Sequence, residues 1–203
     1  MEQQSPLVAI TNFNVTLVMP DQAVNPAADA LFGALLNGGE LKFSASNERP
    51  KLTPPAIGEY WPGQGGIYAG IRQYAEGLCH VIFAARDAGK HAYGEHGTEV
   101  EATSRTDGHQ NTLVLAGRNG SHPAAGAAFG FTCDGHSDFY LPAIAELSHA
   151  WANIPEHFEP DWYWSSSQRS ATNAFTMHFG AGYQDYYGKD YELRVRPVRR
   201  FIQ

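Results

Sequence analysis

"ATNAFTMHFGAGYQDYYGKDYELRVRPVRRF", residues 171–201, holds the clearest periodicity in the chain. From Ala174 to Phe179 the positions alternate. Phe175, Met177 and Phe179 share one face, and Ala174, Thr176 and His178 share the other. A period of two is that of a strand with one core face and one face open to solvent or a ligand. Beyond it, four of the ten tyrosines, Tyr183, Tyr186, Tyr187 and Tyr191, fall within nine residues, mixed with Gln184, Asp185, Gly188, Lys189 and Asp190. A core strand does not mix tyrosine with that much charge and glycine. Amphipathic rings beside small polar residues are the composition of binding loops. Residues 182–191 therefore predict an exposed recognition loop. The following YELRVRPV (191–198) predicts a strand with Leu193 and Val195 inward and Arg194 and Arg196 outward.

The neighbouring WYWSSS (162–167) also reads as a strand, so the C-terminal third is all-β. Upstream, Pro142 starts a helix through AIAELSHAWANI, with Leu147 and Trp151 one turn apart. Asp107 or Thr106 caps a helix through 111–117, and HPAAGAAFGF (122–131) forms a second helix. Residues 66–71, 78–85 and 138–142 read as strands, and 86–97 as a glycine-rich loop. Nearer the start, 7–19 reads as a strand or hairpin and 40–44 as a short strand, flanking a helix that Asn25-Pro26 opens and Gly38-Gly39 closes. The proline-rich stretch 48–58 reads as a linker or an extended wrap over the surface. The class is α+β: a small strand–helix–strand segment over 1–50 and a mixed, loop-rich domain with antiparallel strands and two or more helices over 51–203.

Composition limits the function. The net charge of −7 argues against nucleic acid, which calls for a basic footprint. The chain begins MEQQSPLVAI, without a basic or apolar leader, and contains no span long enough for a bilayer. We therefore expect cytoplasmic synthesis without a classical signal peptide, and no membrane insertion. Any action outside a cell would need delivery by another route.

The motifs give little chemistry. Trp61-Pro62-Gly63-Gln64-Gly65-Gly66 fails both phosphate-loop patterns and reads as a turn. His91 and His96 are spaced for neither a helical pair nor HExxH, while Asp107-Gly108-His109 and Asp134-Gly135-His136 read as turns, so no metal or other cofactor is expected. Ser165-Ser166-Ser167 lacks the GxSxG context of a nucleophile. Glu146 and Glu156 lack a partner carboxylate at a useful spacing. Cys79 and Cys133, the only cysteines, read as inert thiols.

A series of short motifs resembles a known family. The pieces are DGHQNT (107–112), HPAA (122–125), DFYLPAIAEL (138–147), YWSSS (163–167), NAF (173–175) and RVRPVRRF (194–201), with GEYWPGQGGIYAGI (58–71) ahead of them. Together they are similar to the DUF1566 family, also called Lcl C-terminal domains, over about 58–201. The resemblance implies a C-type-lectin-like fold. It also implies kinship with the variable proteins of diversity-generating retroelements, found in phage receptor-binding proteins and bacterial surface displays. There, adenine-directed randomisation rewrites a ligand-binding surface, here at about 163–201. By that resemblance, Tyr163–Ser167 and Arg194–Arg199 are fixed scaffold.

Randomised AAY codons are compatible with Arg169, Thr172, Asn173, Thr176, His178, Tyr183, Asp185, Tyr186, Tyr187, Asp190 and Tyr191, which become the candidate ligand-binding residues. They cannot encode Gln168, Met177, Gln184, Lys189 or Glu192, which are expected to be scaffold or unvaried. The EPN and WND tripeptides of calcium-dependent lectins are absent, so no calcium is implied. The expected function is non-enzymatic recognition of an unknown protein or cell-surface ligand, with homo-oligomerisation left open. The alternatives are a fixed phage-tail or adhesin domain and, more remotely, an enzyme of the formylglycine-generating type using paired cysteines.

Overall fold

The β-rich C-terminal reading extends through most of the molecule. The computed structural model describes residues 52–118 and 121–203. The elements expected within 1–50 lie outside them. The described part of the proline-rich stretch, 52–58, is irregular chain ending in a turn. Nine strands follow, interrupted by three helices: β1 (Tyr60–Trp61), β2 (Gly66–Tyr74), β3 (Gly77–Ala84), β4 (Lys90–Ala92), α1 (Gly108–Ala116), α2 (Pro123–Phe129), α3 (Ile144–Asn153), β5 (Trp162–Gln168), β6 (Asn173–His178), β7 (Tyr183–Gly188), β8 (Glu192–Arg194) and β9 (Val198–Ile202). The class is α+β, as the alternating patterns imply.

The strands form two sheets, ordered β1-β2-β3-β9 and β4-β8-β5-β6-β7. Every pairing is antiparallel except β5 with β8, which meet in parallel at Tyr163 and Arg194. In β2 the register slips between Tyr68 and Ile71, where Gly70 has φ +97°. A residue with a Cβ rarely adopts that conformation, so glycine permits the bulge.

The helix ends follow their caps. The Asp107 carboxylate accepts from the Gln110 N–H at 3.0 Å to start α1. At α3, Glu146 reaches back to the Ala143 N–H at 2.7 Å, just after Pro142. The same carboxylate accepts from Gly108 N–H (3.0 Å), Tyr74 O–H (2.7 Å) and Tyr140 O–H (2.8 Å), so it joins both helix starts to β2 and to the chain before α3. It is fully buried, and that burial raises its pKa despite these donors.

Two cores use the two faces of the second sheet. The larger contains Ile67, Val81, Phe83, Ile144, Leu147, Ala150, Tyr163, Phe175, Met177 and Phe179, between the sheets and under α3. The alternation thus assigned Phe175, Met177 and Phe179 to the correct face. The smaller core sets Trp164, Ala174 and Val195 against Tyr93, Leu115 and the alanines of α2. Each large side chain buried this way stabilises the fold by about 1.5–3 kcal/mol. Being covered on both sides explains why Tyr163, Trp164 and Ser165–Ser167 are all buried.

Two strand expectations are corrected. Residues 138–142 make only a single bridge, Tyr140 with Val198, because the flanking backbone finds separate partners: Leu141 N–H donates to Thr112 Oγ1, and Pro142 C=O accepts from Ser166 N–H. Residues 191–198 are not one strand. The chain leaves the second sheet after Arg194 and joins the first at Val198, crossing at Pro197, which has no N–H for a ladder. Alternation fails across that crossing, so Arg196 is buried, not outward.

The C-terminal arginines clamp this crossing. Arg196 pairs with Asp87 at 2.6 Å and donates to Ala84 C=O and His157 C=O. Arg194 bridges Asp87 and Asp161, both at 2.9 Å. Arg199 forms a two-pronged pair with Asp138, and Arg200 pairs with Asp107 and Glu76. Forked guanidinium–carboxylate pairing of this kind fixes geometry as well as energy.

Replacing Glu146 by Ala leaves two helix-start N–H groups and two tyrosine hydroxyls without their acceptor. We expect a loss of at least about 3 kcal/mol in urea unfolding, on the scale of a broken buried network; a loss below about 1 kcal/mol would contradict the network. The arginine clamps also predict acid sensitivity. Burial alone would raise the Asp161 pKa, but Lys90, the Trp162 N–H and Arg194 outweigh it and pull it down to about 2. Asp107 and Asp138 are likewise pushed up by burial but lowered overall, chiefly by Arg200 and Arg199. Folded pKa values below the unfolded ones give stability that is present above about pH 4 and lost as pH falls toward about 2. Buried Glu146 has the opposite sign, favouring the fold as it protonates, and offsets only part of this loss. Burial also lowers the pKa of His80, His122 and His149, so their contribution is lost as pH falls below about 6.5. The melting temperature is therefore expected to decline from about pH 6.5 and to fall further below about pH 4.

Candidate ligand-binding surface

β7 carries most of the tyrosine cluster, so residues 183–188 form an edge strand and not the expected loop. Its register with β6 pairs Tyr183 with His178, Asp185 with Thr176 and Tyr187 with Ala174. Because strand side chains alternate, Tyr183, Asp185 and Tyr187 share one face while Gln184 and Tyr186 share the other. The tyrosines are thus split between two surfaces.

On the first surface, Trp162 of β5 lies opposite His178. Its ring contacts His178 and Tyr187 at 4.9 Å and Tyr183 at 5.5 Å between centroids. His178 stacks on Tyr183, and Tyr187 meets Tyr191 edge-on at 5.7 Å. Stacked and edge-on geometries are the ones the ring quadrupoles favour. The sequence reading placed Trp162 only in a strand. The signal was the Trp162-Tyr163-Trp164 alternation, which sends Tyr163 to the larger core and both tryptophans to the opposite face.

Thr176 needs correction. It shares the His178 face, as alternation requires, but it is fully buried instead of open. A line from Trp162 on β5 to Tyr187 on β7 crosses β6 at Thr176, by the register. The two rings close over it. Its Oγ1 is buried and finds no hydrogen-bond partner among the described residues.

The second surface is different in charge. The Arg169 guanidinium lies over Tyr186, 3.9 Å from the ring centre, and Arg105 lies over Phe175 at 5.1 Å. Arg105 was not among the expected site residues; no pattern in its own stretch marks it. Thr172 and Asn173 sit at the β5–β6 turn, beside the end of β7 through the Asn173–Gly188 pair. Exposed Asp190 follows β7, its Oδ1 4.0 Å from His96 Nε2. The eleven candidates therefore do not form one patch. Trp162 gathers His178, Tyr183, Tyr187 and Tyr191; Arg169 and Tyr186 lie on the reverse; Thr172, Asn173 and Asp190 mark the end between them.

The strand is held from its ends. Lys189 is fully buried, its Nζ donating to Thr98 C=O at 2.7 Å and to Gln168 Oε1, and burial lowers its pKa. Gln168 in turn exchanges two 3.0 Å bonds with the Val100 backbone. At the other end Gly182 has φ +73°, and a Cβ there would lie 2.1 Å from the Trp151 ring. Met177 is buried too, whereas Gln184 and Glu192 are exposed.

Other motifs resolve as structure. Asp134 Oδ2 accepts from Tyr60 O–H, Gly63 N–H and Gly65 N–H, making its tripeptide a tied turn, while Asp107-Gly108-His109 starts α1. Cys133 packs beside Gly65 at one end of the β2–β3 hairpin, and Cys79 pairs with Arg72 near the other. Seven residues of strand separate those ends, about 20 Å, too far for a disulfide or a shared reaction centre. No helix among the described residues is long and apolar enough to cross a membrane. No protein-family model matches the chain, and no curated protein matches it.

Exposure decides which rings can be removed safely. Tyr183, Tyr186 and Tyr191 are 52%, 44% and 56% exposed, whereas Tyr187 packs against the smaller core. Tyr183→Ala, Tyr186→Ala and Tyr191→Ala are each expected to cost under about 1 kcal/mol in thermal or urea unfolding. Tyr187→Ala should cost roughly 2 kcal/mol or more by uncovering Trp162 and the smaller core.

Proposed function

We propose that residues 52–203 are a C-type-lectin-like domain serving as a non-enzymatic receptor-recognition module, the diversified variable protein of a retroelement. One observation carries this reading. Tyr183, Asp185 and Tyr186, all residues that adenine randomisation can produce, are exposed on an edge strand, while the flanking Tyr163–Ser167 are buried, as is Arg194–Arg199 apart from the half-buried Arg194. Change is cheap at the first set and costly at the second. The mixed fold, with three helices and two antiparallel-dominated sheets, is compatible with a lectin-like frame. The burial of Gln168, Met177 and Lys189 also fits, since these are residues the randomised codon cannot encode.

The surface suits recognition. Tyrosine offers large amphipathic area with little rotamer entropy to lose, and aspartate and arginine add charge complementarity. A formylglycine-type reaction would need its cysteines together, and the hairpin holds them at opposite ends. The test is the gene's surroundings. A near-identical repeat of the codons for about 163–201, differing only at adenines, beside a reverse transcriptase is expected. A fixed phage-tail or adhesin domain would lack both. Independently, Tyr183→Ala combined with Tyr186→Ala should abolish binding to any selected peptide ligand while shifting the melting temperature by only about 4–8 °C or less.

A further inference from the structure

We propose that the Trp162 face binds an arginine guanidinium displayed by a protein partner. This rests on the recognition role proposed above and adds the class of ligand. Three observations converge. Trp162, Tyr183, Tyr187 and Tyr191 gather π-faces on one surface, and tryptophan is the strongest cation–π acceptor. Asp185 stands in register beside Thr176 on that surface, exposed and without a cationic partner among the described residues. Its Oδ1 accepts from the Tyr186 N–H at 2.8 Å, which leaves Oδ2 for a ligand.

The third observation is Thr176 itself. A buried hydroxyl without a partner costs stability, so its presence under the aromatic rings calls for a reason. A guanidinium supplies one. It is planar, so it can slide between Trp162 and Tyr187, and it carries five N–H donors. One edge can donate to Asp185 and another to Thr176 Oγ1 once the half-exposed rings part. Side-chain rearrangement of that size is common when interfaces form. The reverse face, with Arg105 and Arg169 over its rings, would repel the same ligand.

The experiment titrates the full chain with Nα-acetyl-arginine-N-methylamide and, as an isosteric neutral probe, the citrulline analogue, followed by NMR at the Trp162 indole. The arginine probe should perturb Trp162 with an affinity at least about tenfold tighter than citrulline, the scale of one charge-assisted contact. Asp185→Asn should remove that difference and keep the fold, since Asn can still accept from Tyr186 N–H. Thr176→Val should weaken arginine binding while raising the melting temperature, a pairing that a purely structural threonine would not give. Equal binding of the two probes, no shift up to about 100 mM arginine probe, or an unchanged Asp185→Asn variant would each overturn the proposal.

Random peptides selected on the protein separate the two levels of inference. Peptides rich in arginine that lose binding in both Tyr183→Ala and Asp185→Asn support both. Peptides lost in Tyr183→Ala but indifferent to Asp185→Asn overturn the arginine assignment and leave the recognition surface standing. Peptides indifferent to Tyr183→Ala and Tyr186→Ala count against the recognition surface itself.

Discussion

One buried carboxylate holds the helical side of the molecule together. Glu146 takes hydrogen bonds from the first turns of α1 and α3, from β2 through Tyr74 and from Tyr140 ahead of α3. Burying a charge is expensive, and only a full set of donors makes it tolerable. Arg200 lies 3.6 Å away and offsets part of that cost. Because the donors come from three separated stretches, around Tyr74, Gly108 and Tyr140–Ala143, none can move away without leaving the carboxylate short of a donor. The position of α3 over the larger core, and hence the support beneath β6, depends on this convergence.

The other side depends on the C-terminal crossing. Between Arg194 and Val198 the chain passes from one sheet to the other, and each arginine meets a carboxylate from a distant loop or helix start. The last strand thereby ties together segments that fold far apart in sequence. This arrangement answers why an acidic chain ends in arginines. They are internal fasteners, and their partners, Asp87, Asp107, Asp138 and Asp161, are spread through the described unit. With frame and fasteners buried, β7 and the rings around Trp162 are left as the part of the sheet that faces outward.

Local patterns in the sequence carried the elements well and their surroundings poorly. The alternation from Ala174 to Phe179 identified a strand and its core face, and Asp107 and Pro142 located two helix starts, because caps and side-chain period act over a few residues. Alternation says which face a residue shares, not what covers that face. Thr176 therefore looked open until Trp162 and Tyr187 were seen to meet above it. Arg196 looked outward because nothing nearby reveals that Pro197 marks a change of sheet. No local pattern marks Trp162 as the centre of a cluster, since its contacts come from residues up to 25 positions away. Composition marks the tyrosine-rich stretch as unusual, but its division over two faces follows only from the strand that it forms.

β7 has one neighbouring strand where an interior strand has two. Its register is held by Gly182 and Lys189 at its ends, so its exposed side chains answer to fewer steric demands than those of the interior strands. That freedom has a bound. In the antiparallel ladder the Tyr186 N–H points away from β6, and Asp185 covers it with its own carboxylate. An uncovered edge invites a second strand, and charge along it is a common deterrent. A change at position 185 to an uncharged, β-branched residue would leave the fold intact while opening the edge to another copy of the chain. Solubility, more than folding, would then decide which sequences this strand can carry.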